Sequence, residues 1–289
     1  VAFENAFHGD TFGAMSVSGL SVYNGPFEDF LLEIERIPVP NDQNISEVES
    51  RLKTILQGED VAAFIFEPLV QGAAAMHIYP ARHLEVLMRL ARSHGALTIA
   101  DEVMTGFGKT GRNFACDYLD EGPDIICLSK SLTAGIAPMA LPCCNQKVFD
   151  AFYDKEVSKG FFHGHTYSAN PLACTAALAG MDLLATDAIQ DSIQRISARH
   201  LEFEAEIREH PMVKSTRSLG VIFALDLKQE TERYGNLRDR LYRFFMDEGV
   251  FLRPLGNTIY LLPPFTISEE ELTVLYTSVL NCLEMLHND

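Results

Sequence analysis

No apolar run in this 289-residue chain approaches the roughly 20 residues of a membrane-spanning helix, so no membrane partner is expected. Basic residues are scarce. Only 23 Lys and Arg stand against 40 Asp and Glu, which leaves a net charge of −17. A chain this acidic lacks the basic patch that neutralises a phosphate backbone, so nucleic acid is not expected as a partner either. The six cysteines, at 116, 127, 143, 144, 174 and 282, include no C-x-x-C pair. They read as reduced core residues of a cytoplasmic protein rather than as metal ligands or a disulfide framework. Cys143 and Cys144 are neighbours, for which an unstrained bridge is not expected. There is no basic n-region of a signal peptide, no internal repeat and no low-complexity segment. The initiator Met is also absent, and Val1-Ala2-Phe3 reads as a strand that begins mid-domain. An N-terminal portion is therefore expected to be missing.

What is present suits a globular α/β protein of one large or two ordinary domains, with 47% hydrophobic and 22% charged residues. The first two-thirds alternate strand and helix. Ser46-Glu47-Val48-Glu49 has the form of a capping box, opening a helix with Val48, Leu52, Ile55 and Leu56 on one face. Residues 61–66 read as a buried strand closed by Glu67-Pro68. Pro80 opens a helix to about Ser93, with Leu84, Leu87, Met88 and Ala91 at helical spacing. Strands follow at 97–101, 125–128 and 140–144, then an Ala-rich helix from Pro171 and a long polar helix over 189–209. This order predicts a mostly parallel central sheet with helices on both faces. From Val213 the pattern changes to strands at 213–219, 221–227, 251–253 and 258–262, a helix at 237–248, and a terminal helix opened by Ser268-Glu269-Glu270-Glu271. The expected division is a large domain over 1–209, incomplete at its N-terminus, and a small α+β domain over 210–289.

Two strand ends carry the strongest chemical signal. The run Leu97-Thr98-Ile99-Ala100 ends in Asp101, and Ile125-Ile126-Cys127-Leu128 leads into Lys130, 29 positions on (130 − 101). Charged residues at the C-terminal ends of buried strands are how an open α/β sheet builds a site. A lysine that forms a Schiff base and a carboxylate that pairs with a pyridinium nitrogen are the two groups that pyridoxal phosphate chemistry needs. A lysine buried there tends to lose its charge and become a nucleophile; the alternative is a surface lysine. Asp101 taken alone could instead cap a helix.

Other candidates are more open. Phe7, beside His8, could stack on a flat ring or fill a core. Glu67, with Gln71 beyond it, emerges at the same sheet edge as Asp101, as a site carboxylate or one arm of a salt bridge. His163 and His165 lack a third metal ligand, and Gly164 and Thr166 just before a helix suit an anion better. Arg253 suits carboxylate recognition or a structural ion pair.

The segments Phe7-His8-Gly9-Asp10-Thr11-Phe12-Gly13-Ala14-Met15-Ser16, Ile99 through Gly111 (with DEV-x-TGFG-x-TG) and Cys127-Leu128-Ser129-Lys130-Ser131-Leu132-Thr133 resemble the class-III aminotransferases of fold type I. The first of these, together with residues 163–171 and 253–264, is similar to the branch of that family that aminates 8-amino-7-oxononanoate to 7,8-diaminononanoate for biotin synthesis. The resemblance covers essentially the whole chain. It implies a pyridoxal 5'-phosphate enzyme, homodimeric with shared active sites, using S-adenosylmethionine or lysine as amino donor. Lys130 would hold the cofactor covalently, and Asp101 would pair with its ring nitrogen. Val103 and Phe7 would lie on its two faces, with His8, Glu67 and Gln71 around it. His165 and Thr166 would hold the phosphate across from the partner subunit. Gly164 and Phe7 would flank the substrate, and Arg253 would take its carboxylate. Phe7 departs from the family's usual Tyr, which keeps stacking but removes a phenolic hydroxyl. Other class-III activities, on ω-amino acids, ornithine or 4-aminobutyrate, and a non-catalytic relative are the alternatives.

Overall fold

The computed structural model describes residues 1–58, 60–229 and 231–288. Along the chain its first elements are β1 (Ala2–Phe3), α1 (Phe12–Val17), β2 (Arg36–Ile37), α2 (Ile45–Leu56), β3 (Ala63–Phe66), β4 (Val70–Gln71), β5 (His77–Ile78) and α3 (Ala81–Ser93). Next come β6 (Leu97–Asp101), β7 (Ile125–Leu128), β8 (Leu141–Cys144), α4 (Gln146–Asp150) and α5 (Pro171–Leu184). The last are α6 (Asp187–Ile207), β9 (Val213–Leu219), β10 (Ile222–Leu227), α7 (Asn236–Asp247), β11 (Thr258–Leu261) and α8 (Glu269–Asn288). They form two units. One comprises Val1–Ala74, Tyr79–Phe107 and Arg112–Leu184; the other comprises Ala75–Ile78, Gly108–Gly111 and Ala185–Asp289.

The first unit is an α/β layer structure around a six-stranded sheet in the order β2-β1-β3-β6-β7-β8. Every pairing is parallel except β7 with β8. Alternation in β3 buries Phe64 and Phe66 on one face. Their rings meet each other at 5.1 Å, and Phe64 meets Phe3 of β1 edge-on at 5.2 Å. Helix α3 presents Leu84, Leu87, Met88 and Ala91 as a buried stripe, each large side chain contributing roughly 1.5–3 kcal/mol on leaving water. The stripe packs on β3 and β6.

In the second unit β9, β10 and β11 form an antiparallel sheet in the order β11-β10-β9. Gly220 turns the β9–β10 hairpin at φ +59°, and its missing side chain lets residues 109–111 lie against it. Helix α6 packs on β9 and β10 through Ile193, Ile196, His200, Phe203 and Ile207. The sequence pattern placed this helix at the end of the first domain, but its apolar stripe finds its partner in the second unit's sheet.

Several local expectations change. Asn44, not Ser46, precedes helix α2, and the Ser46–Glu49 capping box does not form. The helix begins at Ile45, two residues before the box would start it, and Asn44 Oδ1 accepts from Asn41 N at 2.7 Å in the preceding turn and caps no helical N–H. The second box does form: Glu271 N donates to Ser268 Oγ at 3.1 Å and Ser268 N to Glu271 Oε2 at 2.8 Å. Residues 251–253 are not a strand. Pro254 follows without a backbone donor, and Phe251 is exposed. The cysteines are not uniformly core: all six are free thiols, Cys116 and Cys282 are buried, and Cys144 is exposed. Its neighbour Cys143 lies on the edge strand β8, which has β7 on one side only. Among the described residues no single helix is long and apolar enough to cross a membrane.

Candidate active site

Strands β1, β3, β6 and β7 run parallel and adjacent, so their C-terminal ends lie along one edge of the sheet. That edge is where an open α/β sheet places a ligand. The chain leaves β1 toward Phe7 and His8, β3 toward Glu67, β6 at Asp101, and β7 toward Lys130.

Asp101 is 7% exposed, and both of its carboxylate oxygens are engaged. Its Oδ2 accepts from His8 Nδ1 at 2.7 Å, and its Oδ1 from the backbone N–H of Val103 at 3.1 Å. The second bond is a local turn, so Asp101 caps no helix. The His8 side chain is almost fully buried, and its N–H backbone is fixed by Ser18 Oγ at 2.9 Å. With Nδ1 donating to the carboxylate, its Nε2 is a buried atom without a partner among the described residues.

Glu67 lies beside this pair and is 5% exposed. Its Oε1 accepts from Phe7 N at 3.1 Å and its Oε2 from Gly72 N at 3.0 Å. Burial pushes its carboxyl up to about 7, against the pull of these N–H groups and of His8, with the Asp101 charge adding to the rise. Neither bond is to a cation, so the salt-bridge alternative fails. Tyr79, whose hydroxyl donates to the Glu67 carbonyl oxygen, is fully withdrawn from water. Gln71 is 1% exposed and spends its Nε2 on the Glu4 carbonyl at 3.0 Å.

Asp101 pairs in register with Cys127, and Glu102 N donates to Cys127 O at 3.0 Å, so Lys130 lies three residues beyond Asp101's partner. Lys130 is exposed, so of the two readings of its place after the strand the buried lysine does not hold. Strand β7 ends at Leu128, and the chain then turns sharply, with Lys130 at φ +37°. A left-handed non-glycine residue costs of order 1–3 kcal/mol and persists only where its surroundings fix it. Here Ser129 Oγ donates to Met139 O at 2.7 Å, and Thr133 Oγ1 to Ala137 O at 2.6 Å. Helix α5 packs on the turn through a face of small residues, Ala173, Ala177 and Gly180. A Cβ on Gly180 would lie 3.2 Å from Leu132 O.

Residues 161–169, including Gly164, His165 and Thr166, are exposed. His165 Nδ1 accepts from Tyr167 N at 3.1 Å, and Asn170 Oδ1 from Ala173 N at 2.9 Å at the start of α5. Phe7 is 38% exposed and Val103 half-buried. Arg253 belongs to the second unit and is exposed. The site thus gathers Phe7, His8, Glu67, Asp101, Val103 and Lys130 along one sheet edge. Two supports were not read from the sequence. Ser18 fixes His8, and Glu102, wholly buried, accepts from Thr105 Oγ1, Ala115 N and Cys116 N. Only the carboxylate doublet Asp101-Glu102 hinted at the latter.

Comparison with known proteins identifies the family. The model of the class-III aminotransferase family matches residues 1–283. An adenosylmethionine-8-amino-7-oxononanoate aminotransferase from Synechococcus elongatus is 40% identical over 98% of this chain and 69% of its own length. The enzyme of that name from Nitratidesulfovibrio vulgaris is 35% identical over 96% of this chain and 55% of its own. The crystal structure of the Methanocaldococcus jannaschii enzyme superposes with a TM-score of 0.89 at 28% identity, covering 98% of this chain and 67% of that one. A PLP-bound amine transaminase from an uncultivated Pseudomonas species gives 0.87 at 30% identity, covering 96% and 67%. The chain therefore spans between about half and two-thirds of these relatives' length, and it belongs to the class-III aminotransferase family.

Proposed function

We propose that this chain is the cofactor-binding and catalytic part of an aminotransferase that uses pyridoxal 5'-phosphate to aminate 8-amino-7-oxononanoate, giving 7,8-diaminononanoate, with S-adenosylmethionine as donor. The observation that carries the reading is the kinship to the Synechococcus elongatus enzyme of that name across 98% of the chain, with Asp101 and Lys130 on adjoining strand ends.

The residues present fit the cofactor. A buried carboxylate held by His8 suits a basic ring nitrogen, and an exposed amine on the next strand suits an aldehyde. A half-open Phe7 ring and the Val103 side chain suit a flat ring's two faces. His8 Nε2, buried and without a hydrogen-bond partner among the described residues, leaves the imidazole free to donate to Asp101 through Nδ1. When bound, pyridoxal phosphate supplies an electron-withdrawing ring that acidifies the carbon bearing the amine.

This chain's residues do the rest. Asp101 holds a proton at the ring nitrogen, and His8 fixes the Asp101 carboxylate for that bond. Phe7 and Val103 orient the ring. Lys130 anchors the cofactor, and its Nζ, once free, takes the proton from the donor carbon and returns one to the acceptor carbon. His165 and Thr166 hold the phosphate of a second copy, Gly164 lies beside the substrate, and Arg253 takes the oxo acid's carboxylate. The exposure of residues 161–169 and of Ile136, Tyr153 and Leu172 supports a homodimer whose partner covers them. The six free thiols support a cytoplasmic setting.

The test is the visible spectrum of the protein loaded with pyridoxal phosphate, before and after 7,8-diaminononanoate. The reading expects a long-wavelength band that the diamine discharges. A band that only another amine discharges keeps the cofactor and rejects the substrate. No band at saturating cofactor rejects both.

A further inference from the structure

The carboxylate of Glu67 has a different task from the rest of the site. Its two oxygens are committed to backbone N–H groups on two separate segments, Phe7 at 3.1 Å and Gly72 at 3.0 Å, 60 and 5 residues away in sequence. Its backbone carbonyl is taken up by the Tyr79 hydroxyl. The two segments it joins are the one that carries the Phe7 ring and the one that opens with Leu69 at φ +64° and carries buried Gln71. Gln71 ties back to Glu4 of the first segment at 3.0 Å, so the same two stretches are joined twice. We propose that Glu67 is a positioning residue: its carboxylate clamps the Phe7 segment to the loop after β3 and so sets the aromatic wall of the cofactor site, without touching the cofactor. The inference rests on the cofactor reading above.

The clamp is coupled to the protonation of Glu67. A carboxylate accepts both N–H bonds, whereas a protonated carboxyl keeps one good acceptor oxygen and turns the other into a donor. Because burial lifts the group to about 7, the closed clamp holds its proton more tightly than a solvated carboxyl does, so the clamp opens more easily as pH rises through neutrality. The groups that face it are His8, which favours its charge, Asp101, which opposes it, and Tyr79, held at its carbonyl. Gln at this position mimics the one-armed state at every pH, since its amide nitrogen can only donate.

Two measurements test this. The first is hydrogen exchange by mass spectrometry on the protein without added cofactor, read on peptides covering residues 3–9 and 69–74. After correction for intrinsic rates, wild type should lose about tenfold of protection in one or both peptides on going from pH 6 up to pH 8. Glu67→Gln, which does not titrate, should show the wild-type pH 6 protection at both pH values, with its melting temperature at pH 6 within about 4 °C of wild type. Equal, pH-independent protection in both proteins overturns the clamp. Should Glu67→Gln fail to fold, the wild-type pH dependence alone decides.

The second is pyridoxal phosphate affinity in a cycle of Glu67→Gln and Phe7→Ala. A residue that acts through the Phe7 ring weakens binding about tenfold in wild type and less than about twofold once the ring is gone. Additive losses would mean that Glu67 meets the cofactor directly, which overturns the proposal. If neither protein binds cofactor, the cofactor reading fails, and the exchange data still judge the clamp.

Discussion

Replacing Asp101 by Asn exchanges one oxygen for an NH2 in a nearly buried carboxylate, and the structure predicts what that does to fold and function separately. The Asn oxygen keeps the bond from Val103 N, now 3.1 Å. The new NH2 faces His8 Nδ1, now 2.7 Å from Oδ2. The imidazole answers by moving its proton to Nε2, which has no partner among the described residues to lose. The fold therefore loses of order one neutral hydrogen bond, about 1 kcal/mol. The chemistry loses more. A charge-assisted bond to a protonated ring nitrogen becomes a neutral one, at a carboxylate only 7% exposed. Removing one such preorganised group typically costs about 3–4 kcal/mol, or ~10²–10³ in rate. The assay is the single-turnover reaction of cofactor-loaded Asp101→Asn with a saturating amine, followed by absorbance, with melting curves as control. A rate within about tenfold of wild type, in a normally folded protein, would refute the assignment of Asp101 to the ring nitrogen.

Arg253→Ala should raise the KM for 8-amino-7-oxononanoate by about 10–100-fold, the worth of a charge-assisted contact of roughly 1.5–3 kcal/mol. The donor half-reaction should stay within about twofold, and equal loss on both substrates would assign Arg253 a structural part. In the second unit, burial depresses His200 from 6.5 to about 4, while its ring joins Tyr276 OH at 2.8 Å to Val221 O at 3.2 Å. The unfolded chain takes up that proton below its ordinary value, whereas the folded protein does so only near 4. His200 thus contributes stability above pH 6.5 that is lost as pH falls to 4, of order 3 kcal/mol, and denaturant unfolding of His200→Gln should show a shallower slope across that window. Glu67 works in the opposite direction. Its carboxyl, raised from 4.5 to about 7, contributes stability that is present below 4.5 and lost as pH rises to 7, and Glu67→Gln should flatten that slope.

The strand ends were legible in the sequence because buried parallel strands are short apolar runs, and a charge that closes such a run stands out. Asp101 and Lys130 were found that way, and the in-register pairing of Asp101 with Cys127 brings them to one edge. The state of Lys130 was not legible. An apolar run before a lysine suggests burial, but a single turn at φ +37° carries the side chain out into solvent. The task of Glu67 was hidden for a different reason. Its partners are backbone N–H groups, which every residue carries, and no side-chain pattern announces them. The same holds for Ser18 on His8, where one hydrogen bond among several equivalent candidates decides. Long helices with a clear stripe, such as α3, were read correctly because their spacing is set by burial and not by one contact.

The measurement that tests the central claim most directly is peptide mapping after borohydride reduction of the protein saturated with pyridoxal phosphate. The account predicts a single stoichiometric pyridoxyl adduct on Lys130, absent in Lys130→Ala together with all turnover. An adduct spread over other lysines, or turnover retained by Lys130→Ala, would contradict it.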